Sequence, residues 1–527
     1  MKSQNQLPEY LLHIPPRMWH KFCKTMLESR NINEEVIGFF FCKSHQISKL
    51  KIRYIPKAWV VPLEDCYDLQ SNSGLVLAQK FHSYILEKYL QDGLHVVHIH
   101  THIGEFMPEF SSVDDYYESE YANFLTHSFS QKIRLVSGVF NQSLQKGKFR
   151  IWNRRGKNYY PVEFCNSYLT KGNFNYDVNL DIEAAEINQL FDDQYQEIFD
   201  NTTQKNNYCF QDTMPSSPKA IFPQPNSYNH QNLMFARQKI FGDTCQKQLH
   251  ELKISLIGCG GIGAVFAETL GRLGVKNWVL IDSDRIEIVN LNRMPGATHK
   301  MVEQQWYKVD YVKYLIKKIY PTGSSIKAIP TSCNHEIAQT EIALSDLIVV
   351  ATDNHLSRKQ AQELALTYMR PLVCLGTHIN INPSDNTPRM FCRVTVPPLG
   401  GGWCLMCGNI ISLQKAAVES APTAINQMVN RAGYIEGVND PAVFWLNSIC
   451  ASTGVGVIHG MVSGFLNLDA GIDWIYEFPN SVWHQTDTKY LETPDCYFCS
   501  QSDGLKIETE DIDRESDVEN MDLGVMH

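Results

Sequence analysis

The sequence has no uninterrupted apolar run long enough to cross a bilayer, and its opening Met1-Lys-Ser-Gln-Asn-Gln has no apolar stretch of the secretory kind. The expectation is a cytoplasmic protein with no membrane partner. Positive charge is also scarce: 47 Lys and Arg against 57 Asp and Glu leave a formal net charge of -10. A protein whose main partner is nucleic acid needs a basic excess to displace counterions, so nucleic acid is not expected here. Internal repeats are lacking too, which excludes a solenoid. What remains is ordinary globular material, 527 residues at 43% hydrophobic and 20% charged, enough for several domains. Its 15 cysteines, in a reducing compartment, are free, metal-bound or catalytic rather than disulfide-bonded.

The most informative stretch runs from Lys253 through Gly258-Cys-Gly-Gly-Ile-Gly263 to Ile281-Asp-Ser-Asp284 and Asn290-Leu-Asn-Arg293. An apolar run, Ile254 to Ile257, breaks into glycines, a helix-like segment follows, and a second apolar run ends on an acid. That order predicts a strand, a phosphate-cradling turn, a crossover helix and a parallel strand. Gly258, Gly260, Gly261 and Gly263 permit the tight turn and the close approach of backbone to phosphate at a helix N-terminus. Strands over Ser325–Pro330, Asp346–Thr352 and Pro371–Gly376, with helices between, extend this to a doubly wound α/β sheet. Glycines with Asp282 alone also suit a nicotinamide cofactor. Arg293, Lys308 opening a helix, and Asp353 just past a strand end add two cations and a carboxylate at the sheet's C-terminal edge. That inventory suits a triphosphate with a magnesium ion.

These motifs, with Lys308 and Ala351-Thr-Asp-Asn354, resemble the ThiF/MoeB/ubiquitin-activating superfamily over about residues 233 to 493. Ala236-Arg-Gln238 resembles the superfamily's Arg-Tyr-x-Arg-Gln motif with the first Arg and the Tyr replaced. The resemblance implies a Rossmann-like domain in which Asp282 binds the ATP ribose. It also implies that Asn290, Arg293 and Lys308 contact ATP, that Asp353 holds Mg2+, and that Arg237 reaches the partner's site in a homodimer. The implied reaction adenylates the C-terminal carboxylate of a ubiquitin-like or sulfur-carrier protein.

Cys404-Leu-Met-Cys407 and Cys496-Tyr-Phe-Cys499 are two Cys-x-x-Cys pairs, able to supply four thiolates to a tetrahedral structural zinc. A thioester-forming cysteine is harder to place, because residues 408 to 441 contain no cysteine. Cys450 is the nearest candidate, and its apolar helical surroundings equally suit a core thiol.

Upstream, an apolar strand carries His98-Ile-His100-Thr-His102, followed by Ser111-Ser-Val-Asp114. Two histidines at alternate positions and an aspartate can form an open three-ligand zinc site, with Glu35 as general base. The pattern resembles the JAB/JAMM metalloproteases. That resemblance makes His100, His102 and Asp114 ligands, Glu35 the base and Ser111 the oxyanion stabiliser. Ile103 stands where proline is usual, and the gap from His102 to Ser111 is about one residue longer than is typical of that pattern. A register on Ser112 and Asp115, and a ligand role for His98, therefore stay open.

The expected organisation is a JAB/JAMM-like α/β domain over 1–162, a linker with an acidic helical stretch over 163–232, an adenylation domain over 233–500 and an acidic disordered tail over 501–527. The fusion resembles bacterial ubiquitin-like conjugation proteins, several of which serve antiviral defence, and implies a conjugating enzyme as a further partner.

Overall fold

The computed structural model describes residues 8–29, 34–48, 50–63, 66–71, 74–130, 132–153, 156–167, 169, 234–382, 386–420, 441–493, 496–499 and 505–507. Residues 1–172 and 241–527 make up one compact unit; residues 173–240 make up another, of which only 234–240 are described. The acidic helical stretch expected at Asp181–Phe199 lies outside the described residues.

The front half contains β1 (Glu9–His13), α1 (Pro16–Glu28), β2 (Ile37–Gln46), β3 (Lys51–Pro62), β4 (Tyr67–Gln70), β5 (Leu75–Leu77), α2 (Gln79–Leu90), β6 (His95–Thr101), α3 (Ser112–Ser128), β7 (Leu135–Phe140), β8 (Gly147–Trp152) and β9 (Tyr159–Cys165). The large sheet has the order β1-β9-β8-β7-β6-β2-β3, and β1 also pairs with β3, so the sheet returns on itself. One core lies under α1, whose Met18, Phe22 and Met26 recur every four residues and bury together. Gly38 is required there, since a Cβ would stand 2.6 Å from Phe22 Cζ. A second core lies between the sheet and the helices α2 and α3.

Helix α2 begins only at Gln79, because Leu75–Leu77 just before it pairs with β4. Strand β3 runs unbroken through Pro56, which falls where the pairing with β2 shifts register, a place where proline's missing N–H is tolerated. The front sheet also runs to Cys165, past the boundary expected at 162, because β9 closes on β1.

The back half contains α4 (Asp243–Glu251), β10 (Lys253–Ile257), α5 (Gly261–Leu273), β11 (Asn277–Ile281), α6 (His299–Glu303), α7 (Lys308–Ile319), β12 (Ser325–Ile329), α8 (Glu336–Ala343), β13 (Leu347–Val350), α9 (His355–Tyr368), β14 (Leu372–Ile381), β15 (Pro388–Val396), α10 (Leu413–Ser420), α11 (Phe444–Ser463), β16 (Ile472–Phe478) and β17 (Val482–Gln485). Its sheet has the order β12-β11-β10-β13-β14-β15-β16-β17; the first five strands are parallel and the last three antiparallel. The strand order reverses between β10 and β13, which creates a crevice at their C-terminal ends.

A last strand, β18 (Leu505–Ile507), pairs in parallel with Val60–Pro62 of β3. Disorder expected throughout 501–527 is therefore wrong for these three residues, whose backbone pairs with the end of β3; the rest of that tail lies outside the described residues.

The two halves are fastened at β3. Lys57 Nζ donates to the carbonyls of Leu366 (3.3 Å) and Thr367 (2.8 Å), and Arg53 donates to those of Tyr368 and Met369. These are the otherwise unpaired carbonyls at the end of α9, where a cation also meets the negative end of the helix dipole. Met369 and Leu399 complete the front core beside Phe22 and Trp59.

Candidate functional site

At the strand-order reversal, Gly258 has φ +94°, and a Cβ on it would lie 2.7 Å from the carbonyl oxygen of Ala351 at the end of β13. A Cβ on Gly263 would lie 2.0 Å from the Gly258 carbonyl oxygen. These two positions admit only glycine, which brings β10, β13 and the first turn of α5 into close contact. Gly260 caps α5 and Gly261 opens it, so that helix's first N–H groups face the crevice.

Asp282, just past β11, accepts from the N–H of Cys259 (2.7 Å) and of Asp284 (2.9 Å); burial raises its pKa against those bonds and the Lys308 charge. Lys308, the first residue of α7, donates to Asp284 at 2.7 Å. Burial disfavours its ammonium, but the charges of Asp282, Asp284 and Asp353 outweigh this and hold it above the ordinary lysine range. Asp353 itself is exposed, one residue before the Asn354 cap of α9. Arg293 lies along Gly261, its Cγ 3.1 Å from where a Cβ would be, and Nη1 donates to the Val289 carbonyl. Asn290 is buried, and its amide oxygen accepts from the Glu287 N–H (3.0 Å), which shapes the turn carrying Arg293. These converge on the crevice; Arg237 belongs to the other unit and lies exposed in the short helix Ala236–Phe241.

Two neighbours were not apparent in the sequence. Buried Asn447 of α11 accepts from Thr377 (3.1 Å) and approaches Gly261, while Arg358 of α9 donates to the Thr352 carbonyl beside Asp353. Neither lies in a recognisable motif, and the separation of 70 residues between Thr377 and Asn447 hides their pairing.

Cys450 is fully buried, its thiol 3.5 Å from the Gly376 carbonyl oxygen. A hydrogen bond with Cys392 and burial push its pKa well above the ordinary thiol value. The candidacy of Cys450 as a nucleophile is corrected accordingly: it is a core thiol, without the exposure or the lowered pKa a thioester needs. Cys404, Cys407, Cys496 and Cys499 come together, with Sγ separations of 3.7 Å (404–407), 3.6 Å (404–496) and 3.5 Å (407–499). Hydrogen bonds from Cys499 and from nearby N–H groups overcome burial and pull the Cys404 thiol down to about 5.

In the front half, β6 and the start of α3 bring His100, His102 and Asp114 together. His100 Nε2 is 3.2 Å from Asp114 Oδ1 and from His102 Nε2, and His102 Nε2 is 3.5 Å from Asp114 Oδ2. Burial raises the Asp114 pKa, but the hydrogen bonds and charge of the histidines outweigh this and hold it well below the carboxylate range; the same bond raises His102. Asp115 points elsewhere, to Arg150, so the 111/114 register faces the histidines. Ser111 caps α3, and both its hydroxyl (2.8 Å) and its N–H (2.6 Å) hold Asp114. That is a positioning arrangement, and it differs from the oxyanion role expected of Ser111. Half-buried Glu35, just before β2, has its pKa raised by burial, and it senses the charges of His102, His100 and Asp114. Among the described residues no helix is long and apolar enough to cross a membrane.

Comparison with known proteins bears on the back half. Residues 232–432 match the ThiF family. The chain is 28% identical over 198 residues to the sulfur carrier protein ThiS adenylyltransferase of Bacillus subtilis, covering 33% of this chain and 54% of that protein. It is 26% identical over 194 residues to the adenylyltransferase and sulfurtransferase UBA4 of Eremothecium gossypii, covering 35% and 42%. The chain thus spans about half or less of the length of these relatives. Among solved structures, E. coli MccB with AMPCPP and MccA is 19% identical at a TM-score of 0.40, covering 52% of this chain and 77% of that one. Over residues 232–432 the C-terminal part of this chain is therefore similar to ThiF-family adenylyltransferases.

Proposed function

We propose that the chain adenylates the C-terminal carboxylate of a small ubiquitin-like protein, and that its front half is a zinc-dependent hydrolase acting on the same kind of tail. The observation that supports the first activity best is the gathering of Asp282, Lys308 and Asp353 beside the glycine turn, with Arg293 lying along it. ATP phosphates would rest on the N–H groups of the Gly258–Gly263 turn, the ribose on Asp282, and phosphate charge on Arg293 and Lys308, with Asn290 shaping the turn between them. A magnesium ion at Asp353 would supply further neutralisation. The tail carboxylate oxygen attacks the α-phosphorus, the bond from that phosphorus to the leaving oxygen breaks, and acyl-adenylate and pyrophosphate result. Arg237 of a second copy would add positive charge, as in a homodimer.

In the front half, the convergence of His100, His102 and Asp114 fits an open zinc site, since two imidazoles and a carboxylate leave a position vacant for substrate chemistry. Zinc would supply Lewis acidity. Glu35 takes the proton of the attacking water, and its raised pKa makes it a stronger base than an ordinary glutamate. The four cysteines fit a second, structural zinc.

A second reading, activation of a sulfur carrier, draws on the relatives named for ThiS and for sulfurtransfer. ATP–pyrophosphate exchange with small proteins ending in Gly-Gly tests both. Exchange should require the carrier and vanish in Asp353→Ala; retained exchange refutes the magnesium role. Subsequent thiocarboxylate formation, read by mass spectrometry, would favour the sulfur-carrier reading, and a protein conjugate the leading one.

A further inference from the structure

Strand β6 and the residue just past its end place His98, His100 and His102 at alternate positions, and the proposed zinc site uses only His100 and His102. On α3, Glu118 follows Asp114 by one turn and so lies on the same face. Glu118 is 3% exposed. Its Oε2 accepts from Arg150 Nε (2.8 Å) and from Trp152 Nε1 (2.9 Å), and forms an ion pair with Arg150 Nη2 at 2.6 Å. Its Oε1 lies 3.5 Å from Nε2 of His98, and both of these atoms are buried without a hydrogen-bond partner. The rings of His98 and His100 are 5.9 Å apart. The two elements therefore meet as a ladder, with Asp114 against His100 and His102, and Glu118 against His98.

Such a pair has two uses. His98, His100 and Glu118 bring ligand atoms within 4.8 Å of one another, as a second cation would need. The Arg150 guanidinium, whose side chain is 3% exposed, already neutralises Glu118, and a divalent ion set beside it away from water would meet strong repulsion. That ion would also compete for His100. We propose instead that His98 and Glu118 are positioning residues that hold β6 and α3 at the separation the zinc ligands require. Ligating histidines and carboxylates depend on such outer partners for their orientation. The gap between His98 and Glu118 is a few tenths of an ångström longer than a hydrogen bond, so a small approach of α3 to β6 closes it. This inference rests on the reading of His100, His102 and Asp114 as a zinc site.

The test uses the full-length chain, with zinc counted by elemental analysis, affinity measured by chelator competition and the cobalt-substituted absorption spectrum recorded. Wild type should hold two zinc ions, one of them on the cysteines. His98→Leu, which leaves the Arg150–Glu118 pair intact, should keep the cysteine-bound ion and weaken the other 10- to 100-fold, with a changed cobalt spectrum. His98→Gln, which restores an N–H donor, should recover most of the affinity. Glu118→Gln is informative where thermal melting shows that it folds, and should weaken the same ion. Unchanged affinity and spectrum in His98→Leu would overturn the proposal, as would a third zinc ion in wild type that this variant loses. His100→Ala separates the two levels: if it loses no zinc, the underlying zinc reading fails; if it loses one while His98→Leu loses no affinity, only the positioning role fails.

Discussion

Replacing Cys496 by serine should release the last segment of the back half. The Sγ separations of 3.5 to 3.7 Å in the cluster are far from the 2.05 Å or so of a disulfide and close to the edge of about 3.8 Å of a tetrahedron with Zn–S bonds of about 2.3 Å. Zinc there would crosslink Cys404 to Cys496, which are 92 residues apart. By the loop-closure relation, a crosslink over a loop of that length is worth about 4.6 kcal/mol against a fully unfolded chain. If β15 to β17 stay paired, the loop shrinks to about 20 residues and the value to about 3.3 kcal/mol. Lys489, in the short helix Thr488–Leu491, is the tryptic site inside the released segment. When cleavage samples a rapidly reclosing open form, its rate follows the open population, so a loss of about 3 kcal/mol accelerates cutting after Lys489 by roughly two orders of magnitude. The assay is limited trypsinolysis of wild type and Cys496→Ser, followed by mass spectrometry, with chelator-treated wild type as a second arm. Equal cutting rates in all three, or unchanged zinc content in the variant, would refute the crosslink.

The other predictions concern the two sites and the joint. Glu35→Gln should leave zinc bound and stop tail cleavage. In wild type the acid limb of the cleavage profile should sit above the ordinary glutamate range, because burial raises the pKa of the base and activity is lost as pH falls through it; a profile flat down to pH 4 contradicts this. The same raised pKa makes a small contribution to stability that is lost as pH rises through it. Gly258→Ala places a Cβ against the Ala351 carbonyl at a positive φ, so ATP binding followed by calorimetry should be lost, with stability down by about 1–3 kcal/mol. Arg53→Met strips donors from the carbonyls of Tyr368 and Met369 and should lower the urea midpoint by about 2–4 kcal/mol equivalent; an unchanged midpoint would show the joint to be superficial.

The sequence was readable wherever chemistry is local. The glycine turn, the acid after β11 and the His-x-His strand each declare themselves within a dozen residues, and each lies where the spacing predicted. The register of the aspartate was not readable, because Asp114 and Asp115 differ only in the face of α3 they occupy, which depends on where Ser111 caps the helix. Closure of the front sheet was hidden because β1 is five residues long and its partners, β3 and β9, come from distant stretches. Cys450 looked ambiguous because burial is a tertiary property: the same helix with one face open would expose it. Arg53 and Lys57 carry no local signal in the sequence, because the carbonyls that give them a role lie more than 300 positions away.

Helix α9 acts as a lever. It starts beside Asp353, runs 14 residues, or about 21 Å, and ends at Met369 inside the other half's core. A tilt of about 3° about its capped first turn carries Met369 through roughly 1 Å, a displacement that a close-packed interior transmits instead of absorbing. The four carbonyls gripped by Arg53 and Lys57 prevent that far end from slipping. Any motion that accompanies the proposed nucleotide binding at Asp353 would thereby be geared to the strand β3, two strands from the histidines of β6.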